Sequence, residues 1–423
     1  MEQSPQAKEI ETLRWAKFQS HVRAICSSNS FQKNRFPELS KWESWYGFDD
    51  FVQSCPLTTK QELEQDRVSN PPHGTNLTFP FGQYIRYSKT SGTTGQSMEW
   101  MDTAEDWQWM LDNWKQILEA AGVTSGDRCF FAFSFGPFLG FWTAYEAAMQ
   151  TGCLCIPGGG FSTEARIRSI LENKVNYLFC TPTYARRLLE TAREQQISLQ
   201  DHNLQKIIVA GESGGSSLEL RKQIDDAWSA NSLLYDHYGM TEVGPVAYEI
   251  PGGNGGLRIL SDRYLAEVID PESLQPLEDG ELGELVLTPL GRTGNPLLRY
   301  RTGDLVRVHR GLDDDGFPFF DLVGGILGRA DDMIVIRGVN LYPAAVDCII
   351  RKFDQIDEYQ VIISEVRGMK EVVIRAECVR QTASDLERAI YENFSLRIPV
   401  EVVPKKSLPR FEMKSKRWCY HQN

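Results

Sequence analysis

The run Ser88-Lys-Thr-Ser-Gly-Thr-Thr-Gly-Gln96 sets hydroxyl side chains among glycines. Glycines let a backbone turn tightly and bring its N–H groups close to an anion, and the hydroxyls add donors, so a loop of this composition can cradle phosphates. No Gly-Lys-[Ser/Thr] follows at the spacing of a Walker A loop, and the same composition also makes a plain surface turn. A second group, Tyr235-Asp-His-Tyr-Gly-Met-Thr-Glu-Val243, offers an aromatic face, a glycine, a hydroxyl and a carboxylate in close succession. These suit a nucleotide base, a phosphate and a magnesium ion; the plainer reading is a strand leaving into a loop, with Thr241 as an N-cap. In Tyr300-Arg-Thr-Gly-Asp304 the aspartate could bind ribose hydroxyls, although Thr-Gly-Asp is also a hairpin turn.

The elements that must position these groups are legible in outline. Trp107, Met110, Leu111, Trp114, Ile117, Leu118 and Ala121 fall at helical spacing, with Asp102 or Thr103 as cap and Gly122 as stop. Predicted strands at 129–133, 153–157, 177–180, 206–210 and 232–235 alternate with helices through Tyr145, over 163–173 and over 183–195. Such alternation implies a parallel sheet covered on both faces, whose ligands sit beyond the strand C-termini. The second motif falls at that edge. After Glu249 the pattern changes: Gly252-Gly-Asn-Gly-Gly256 introduces short strands at 265–269, 284–287 and 305–309, an antiparallel β subdomain. From Gly328 follow a strand at 333–337, a helix at 343–352, strands at 360–364 and 370–378, a helix at 383–394 and a final strand at 400–403. That order resembles a small split β-α-β unit. The expected fold class is α/β: a large N-terminal domain over 1–327 with parallel sheets covered by helices plus a β subdomain, then a small α+β C-terminal lid over 328–423.

Five motifs in order carry a family resemblance: Thr90-Ser-Gly-Thr-Thr-Gly95, Tyr238-Gly-Met-Thr-Glu242, Tyr300-Arg-Thr-Gly-Asp-Leu305, Gly328-Arg-Ala-Asp-Asp-Met-Ile334 and Leu408-Pro-Arg-Phe-Glu-Met-Lys-Ser-Lys-Arg417. Together they resemble the adenylate-forming superfamily of acyl-CoA synthetases, luciferases and peptide-synthetase adenylation domains. The chain length, Ala210-Gly-Glu-Ser-Gly-Gly215 and the C-terminal motif are most similar to the phenylacetate-CoA ligase family. The resemblance implies a reaction in which ATP activates a carboxylic acid as an acyl-adenylate, with Mg²⁺ as cofactor and CoA as the thiol acceptor. A carrier-protein thiol or an amine is the alternative acceptor, and a silent nucleotide-binding regulator the alternative function.

Position by position, the resemblance implies that Ser91, Gly92, Thr93, Thr94 and Gly95 hold the ATP phosphates and that Gly211 and Glu212 lie along the adenine. Asp236, His237, Tyr238 and Gly239 join the nucleotide site, with Tyr238 stacked on the base. Thr241 and Glu242 serve phosphate and Mg²⁺, Asp304 binds ribose, and Arg329 contacts the nucleotide. Asp331 matches the hinge of a mobile small domain. Lys414 matches the catalytic lysine that this domain brings to the reacting phosphate and carboxylate. The aromatic-rich segment 130–142 lines the acyl pocket through Phe135, Gly136 and Phe138, which favours an aryl or arylacetic acid; the same residues also read as core. The chain departs from the family at Gln96, where Lys is usual, at Ser213 for Pro and at Met413 for Gly. Ile250 and Arg258 stand where some relatives carry metal ligands, so no zinc is expected.

Composition bounds the rest. A net charge of −12 argues against nucleic acid as a partner. Against it stands one basic cluster, Lys405, Lys406, Arg410, Lys414, Lys416 and Arg417, suited to the phosphates of CoA or to an acidic carrier protein, or else a solvated tail. The nine cysteines read as reduced thiols, and Cys153-Leu-Cys155 would point its thiols to opposite sides of a strand. The polar start and the lack of a long apolar run predict a cytoplasmic chain with no membrane contact, as monomer or homodimer.

Overall fold

Thr103 begins the helix Ala104–Ala120 with a capping box: its hydroxyl accepts from Asp106 N–H, and the Asp106 carboxylate accepts from Thr103 N–H at 3.0 Å. Asp102, the other predicted cap, is instead fully buried in an ion pair with Arg292. The helix buries Trp107, Met110, Leu111, Trp114, Ile117 and Leu118 along one face, each contributing about 1.5–3 kcal/mol by removal from water. The computed structural model describes residues 5–423, apart from 91–96, 213, 251, 253–254, 314–315, 333, 337–338, 367–368, 412–415 and 422–423.

That helix packs on a sheet which, among the described residues, has twelve strands. Its parallel part runs Leu154–Pro157, Arg128–Phe131, Tyr177–Cys180, Lys206–Val209 and Leu234–Met240. Leu178, Ile207, Val209 and Leu234 bury one face under the helices Pro182–Glu194 and Leu218–Trp228, while Cys129, Phe131, Phe179 and Ile208 bury the other. Strands covered on both faces read as continuous apolar runs, which is why they were legible.

The antiparallel strands are continuous with the parallel ones through Leu234–Met240. Its first residues pair in parallel with Lys206–Val209, and from His237 onward it pairs antiparallel with Gly244–Glu249. The strand predicted to end at residue 235 therefore runs on through Tyr238-Gly-Met, which is not the loop exit of the plainer reading. Gly239 is required by this pairing, since a Cβ there would lie 2.9 Å from the Gly244 carbonyl oxygen. Likewise Thr302-Gly-Asp304 is no hairpin turn: it lies inside the strand Tyr300–Leu312, beside an irregularity in its pairing with Leu282–Pro289, with Gly303 at φ +75°.

The C-terminal segment has its own core of Ile334, Leu341, Val346, Ile350, Val361, Ile374, Leu386 and Ile390, among others. The strand Val400–Val402 is not the last. Trp418–His421 follows and pairs in parallel with Tyr359–Val366, completing a four-stranded sheet. At the other end, the helices Pro5–Ser28, Ser30–Arg35, Phe48–Ser54 and Lys60–Ser69 precede the first strand. Phe18, Val22, Phe48 and Phe51 join Leu290 and Leu298 in a separate cluster. Among the described residues no helix is long and apolar enough to cross a membrane.

Candidate active site

Two strands deliver the central phenol–carboxylate pair of the site. Asp304 lies in Tyr300–Leu312, directly opposite Arg329 in the short strand Gly328–Arg329. Tyr238 reaches it from Leu234–Met240 and donates its phenolic hydrogen to Asp304 Oδ2 at 2.5 Å. Arg329 donates to Asp304 Oδ1 at 3.2 Å and, through Nε and Nη2, to Asp331 at 2.8 and 3.0 Å. Burial pushes the Asp304 carboxyl up to about 6, against the pull of Arg329 and Tyr238. The Tyr238 phenol is driven well above its ordinary value, by burial first and then by the adjacent Asp304 charge.

Thr241 and Glu242 follow at the turn out of the same strand. The Glu242 side chain is nearly enclosed, in a residue 7% exposed, and among the described residues its carboxylate has neither a hydrogen-bond nor an ion-pair partner. An almost buried carboxylate with no partner among the described residues is costly unless a cation completes it, and carboxylate oxygens suit a hard divalent ion such as Mg²⁺. Glu242 is also close enough to Asp304 to raise its pKa. Both carbonyls of the turn, Thr241 O and Glu242 O, accept from Arg292 Nη1 at 2.7 and 2.8 Å. Sequence reading missed Arg292, because its partners Asp102 and Glu242 are 190 and 50 positions away.

Asp236 is buried in a polar nest. It accepts from Ser216 Oγ at 2.9 Å and from His237 N–H at 3.0 Å, and its own N–H goes to Glu249, which is itself gripped by Arg221. Desolvation lifts its carboxyl to about 7. Gly215 permits the fit, since a Cβ there would meet Asp236 Oδ1 at 2.2 Å. His237 is turned the other way: it is buried against Trp114, its Nδ1 donates to Ala247 O at 2.8 Å, and burial lowers its pKa to about 4. The imidazole is thus a neutral core group, and only the main chain of His237 faces the site. Gly211 is exposed at φ +94°, and Glu212 accepts from Thr183 N–H at 2.8 Å, in the first turn of the helix Pro182–Glu194.

The segment expected to hold phosphates, Ser91, Gly92, Thr93, Thr94 and Gly95 with Gln96, lies outside the described residues, as do Met413 and Lys414. Its base is described: Thr90 N–H donates to Met98 O at 2.9 Å, and Met98 N–H to Thr90 Oγ1 at 2.8 Å. The next residue back, Lys89, donates its N–H to Pro137 O at 2.7 Å, joining this base to the predicted acyl segment. In that segment Phe135 packs against Trp142 and Tyr145, and Phe138 against Phe141 and over Gly136. Trp142 Nε1 donates to Gly136 O at 2.9 Å, holding the turn in place.

Four residues of the basic cluster have acidic partners, although Lys405 and Lys406 stay 79% and 76% exposed, and Lys414 lies outside the described residues. Lys405 pairs with Asp357, Lys406 with Glu194, Arg410 with Glu377 and Arg417 with Glu358, at 2.7 to 2.8 Å. Glu377 organises its stretch, also accepting from the N–H groups of Lys406 and Leu408. The Lys406 pair reaches across to the large N-terminal part of the chain, as do Arg186, which donates to Ile356 O and Asp357 O, and Gln223, which donates to Asp354.

Comparison with known proteins shows the family and the fold. Residues 59–289 match the AMP-binding enzyme family, and residues 338–421 the AMP-binding enzyme C-terminal domain. The chain belongs to the AMP-binding enzymes and, within them, to the phenylacetate-CoA ligase-like AMP-forming acid–thiol ligases. It is 30% identical over 381 residues to phenylacetate-coenzyme A ligase of Pseudomonas putida, covering 88% of this chain and 82% of that one. It is 30% identical over 404 residues to the enzyme of the same name from Escherichia coli K12, covering 87% and 86%. A crystal structure of 2-hydroxyisobutyryl-CoA ligase in the postadenylation state shares the fold, with a TM-score of 0.89 at 23% identity over 99% of this chain and 91% of the other.

Proposed function

We propose that this enzyme activates an aromatic carboxylic acid with ATP and transfers the acyl group to the thiol of CoA. The observation that carries the reading is the nearly buried carboxylate of Glu242, without a partner among the described residues, beside the Tyr238–Asp304–Arg329 network, at the C-terminal edge of the parallel strands. A carboxylate oxygen of the acid attacks the α-phosphorus, the bond to the bridging oxygen of the β-phosphate breaks, and pyrophosphate leaves. The thiolate of CoA then attacks the acyl carbonyl carbon, and the acyl–oxygen bond breaks with AMP as leaving group. Both steps bring negative charge together, so positioning and charge neutralisation dominate and no protein nucleophile is needed.

In this reading Asp304 takes the ribose, Arg329 contacts the nucleotide, Tyr238 lies against the base, and Gly211, Glu212, Asp236 and the main chain of His237 and Gly239 border the adenine. Thr241 and the segment Ser91 to Gly95 bind phosphate. Glu242 holds Mg²⁺, whose charge when bound offsets that of the phosphates. Residues 328–423 act as a small domain turning about Asp331, carrying Lys414 to the reacting phosphate and carboxylate and excluding water. The rings of Phe135 and Phe138, with Gly136 between them, border the acid, and an apolar aromatic surround favours a planar acyl group.

The test is acid-dependent pyrophosphate release from ATP and Mg²⁺ over a panel of aryl, arylacetic and aliphatic acids, with hydroxylamine as trap. Release with arylacetic or aryl acids, and the matching thioester by mass when CoA replaces hydroxylamine, is the expected result. No release with any acid sinks the reading; preference for an aliphatic acid overturns the aromatic assignment alone.

A further inference from the structure

Arg292 is 1% exposed and Asp102 is fully buried. Between them run two parallel bonds, Nε to Oδ1 at 2.6 Å and Nη2 to Oδ2 at 2.9 Å. The remaining terminal nitrogen, Nη1, spans the carbonyls of Thr241 and Glu242. One guanidinium therefore joins two parts of the site that are far apart in sequence. Asp102 sits in the strand Glu99–Thr103, which leaves the 91–96 segment, and the two carbonyls belong to the turn that presents the Glu242 side chain.

The loop carrying Arg292 is fixed in its turn. The N–H groups of Thr293 and Gly294 donate to Asp106 at 2.6 and 3.1 Å, and Gly294 O accepts from the Tyr84 hydroxyl at 2.6 Å and from Thr78 N–H at 2.9 Å. Gly294 is needed for this approach, since a Cβ would fall 2.3 Å from Asp106 Oδ2. A buried ion pair is a poor way to gain stability, because desolvating two charges costs about what their attraction returns. What it does supply is geometry: a planar fork locks its partners in direction, which a lysine ammonium does not.

We propose that Arg292, set by Asp102, is a positioning residue that fixes the Thr241–Glu242 turn, and with it the Glu242 carboxylate, for binding the metal and nucleotide phosphates. This rests on the assignment of Glu242 to Mg²⁺ given above. Arg292→Lys keeps the charge and loses the fork, so the free Mg²⁺ needed for half-maximal pyrophosphate release rises by about 10-fold or more and kcat falls, while the KM for the acid stays within about twofold. A merely structural role would lower the melting temperature and leave the Mg²⁺ requirement unchanged.

The experiment titrates Mg²⁺ against pyrophosphate release for the wild type, Arg292→Lys, Asp102→Asn and Glu242→Gln, alongside melting curves without nucleotide. Asp102→Asn serves as the second variant if Arg292→Lys melts early, since it keeps the guanidinium and takes away the charge and one of the two acceptors that aim it. A raised Mg²⁺ requirement in either folded variant supports the proposal. A wild-type requirement in both, with Glu242→Gln impaired, overturns it and leaves the Mg²⁺ assignment standing. A Glu242→Gln enzyme with wild-type Mg²⁺ dependence overturns the assignment and the proposal together.

Discussion

The phenol of Tyr238 donates to the buried carboxylate of Asp304 at 2.5 Å. A donor to the charged form holds a carboxyl down, and here it works against the burial that lifts Asp304 to about 6. Tyr238→Phe removes the donor, so the ionisation of Asp304 moves to higher pH. The expected outcome is that the acidic limb of kcat/KM for ATP, near pH 6 in the wild type, shifts upward in Tyr238→Phe and disappears in Asp304→Asn. A pH profile of pyrophosphate release reads it.

Asp236 gives a stability prediction with the opposite flavour from an exposed, salt-bridged acid. Burial raises its carboxyl from 3.8 to about 7, so the folded state holds a proton that the unfolded chain releases. The contribution to stability is complete below about pH 4 and is lost as pH rises through about 7. Asp236→Asn should flatten the pH dependence of denaturant unfolding in that window, with the difference from wild type greatest at its alkaline end.

Much of this arrangement was legible because local rules agree with the final fold. The helix Ala104–Ala120 announces itself through its apolar spacing and Thr103 cap, and the parallel strands through short apolar runs. Tyr238-Gly-Met was misread because a glycine and polar neighbours mimic a loop, whereas the glycine serves the close approach of Gly244–Glu249. The helix Pro5–Ser28 was missed although Trp15, Phe18, Val22 and Ile25 recur at helical spacing, a signal that was there to be read. Trp418–His421 is short and follows a basic run, so nothing local marks it as a strand. The acidic partners within the cluster at Lys405 to Arg417 were not legible, because those carboxylates lie far off in the chain. Arg292 carried no local mark, and Asp102 read only as a candidate helix cap.

Trp142 offers a way to separate the acid from the nucleotide. Its indole N–H holds Gly136 O at 2.9 Å and its ring packs against Phe135. Trp142→Phe keeps an aromatic ring and drops the hydrogen bond, so the KM for the acid should rise by about 3- to 10-fold, the loss of a neutral hydrogen bond, while the KM for ATP is unchanged. Steady-state kinetics with each substrate varied in turn check this.

Lys414 should divide the two half-reactions. Lys414→Ala is expected to lower acyl-adenylate formation by 2 orders of magnitude or more, roughly the loss of one charged group aimed at the developing charge, while thioester formation from a supplied acyl-adenylate continues. Pyrophosphate release measures the first step and CoA thioester the second; equal loss of both would contradict the division.

The link between Asp102 and Arg292 closes a span of 190 residues, and the bridge between Thr58 and Tyr300 closes a longer one. Contacts of such separation form late, after much loop entropy has been lost. During synthesis the turn at Thr241 and Glu242 leaves the ribosome well before the arginine that orients it. A nascent chain that ends short of residue 292 lacks this anchor, so tight nucleotide binding should begin only when the large N-terminal part of the chain is nearly complete.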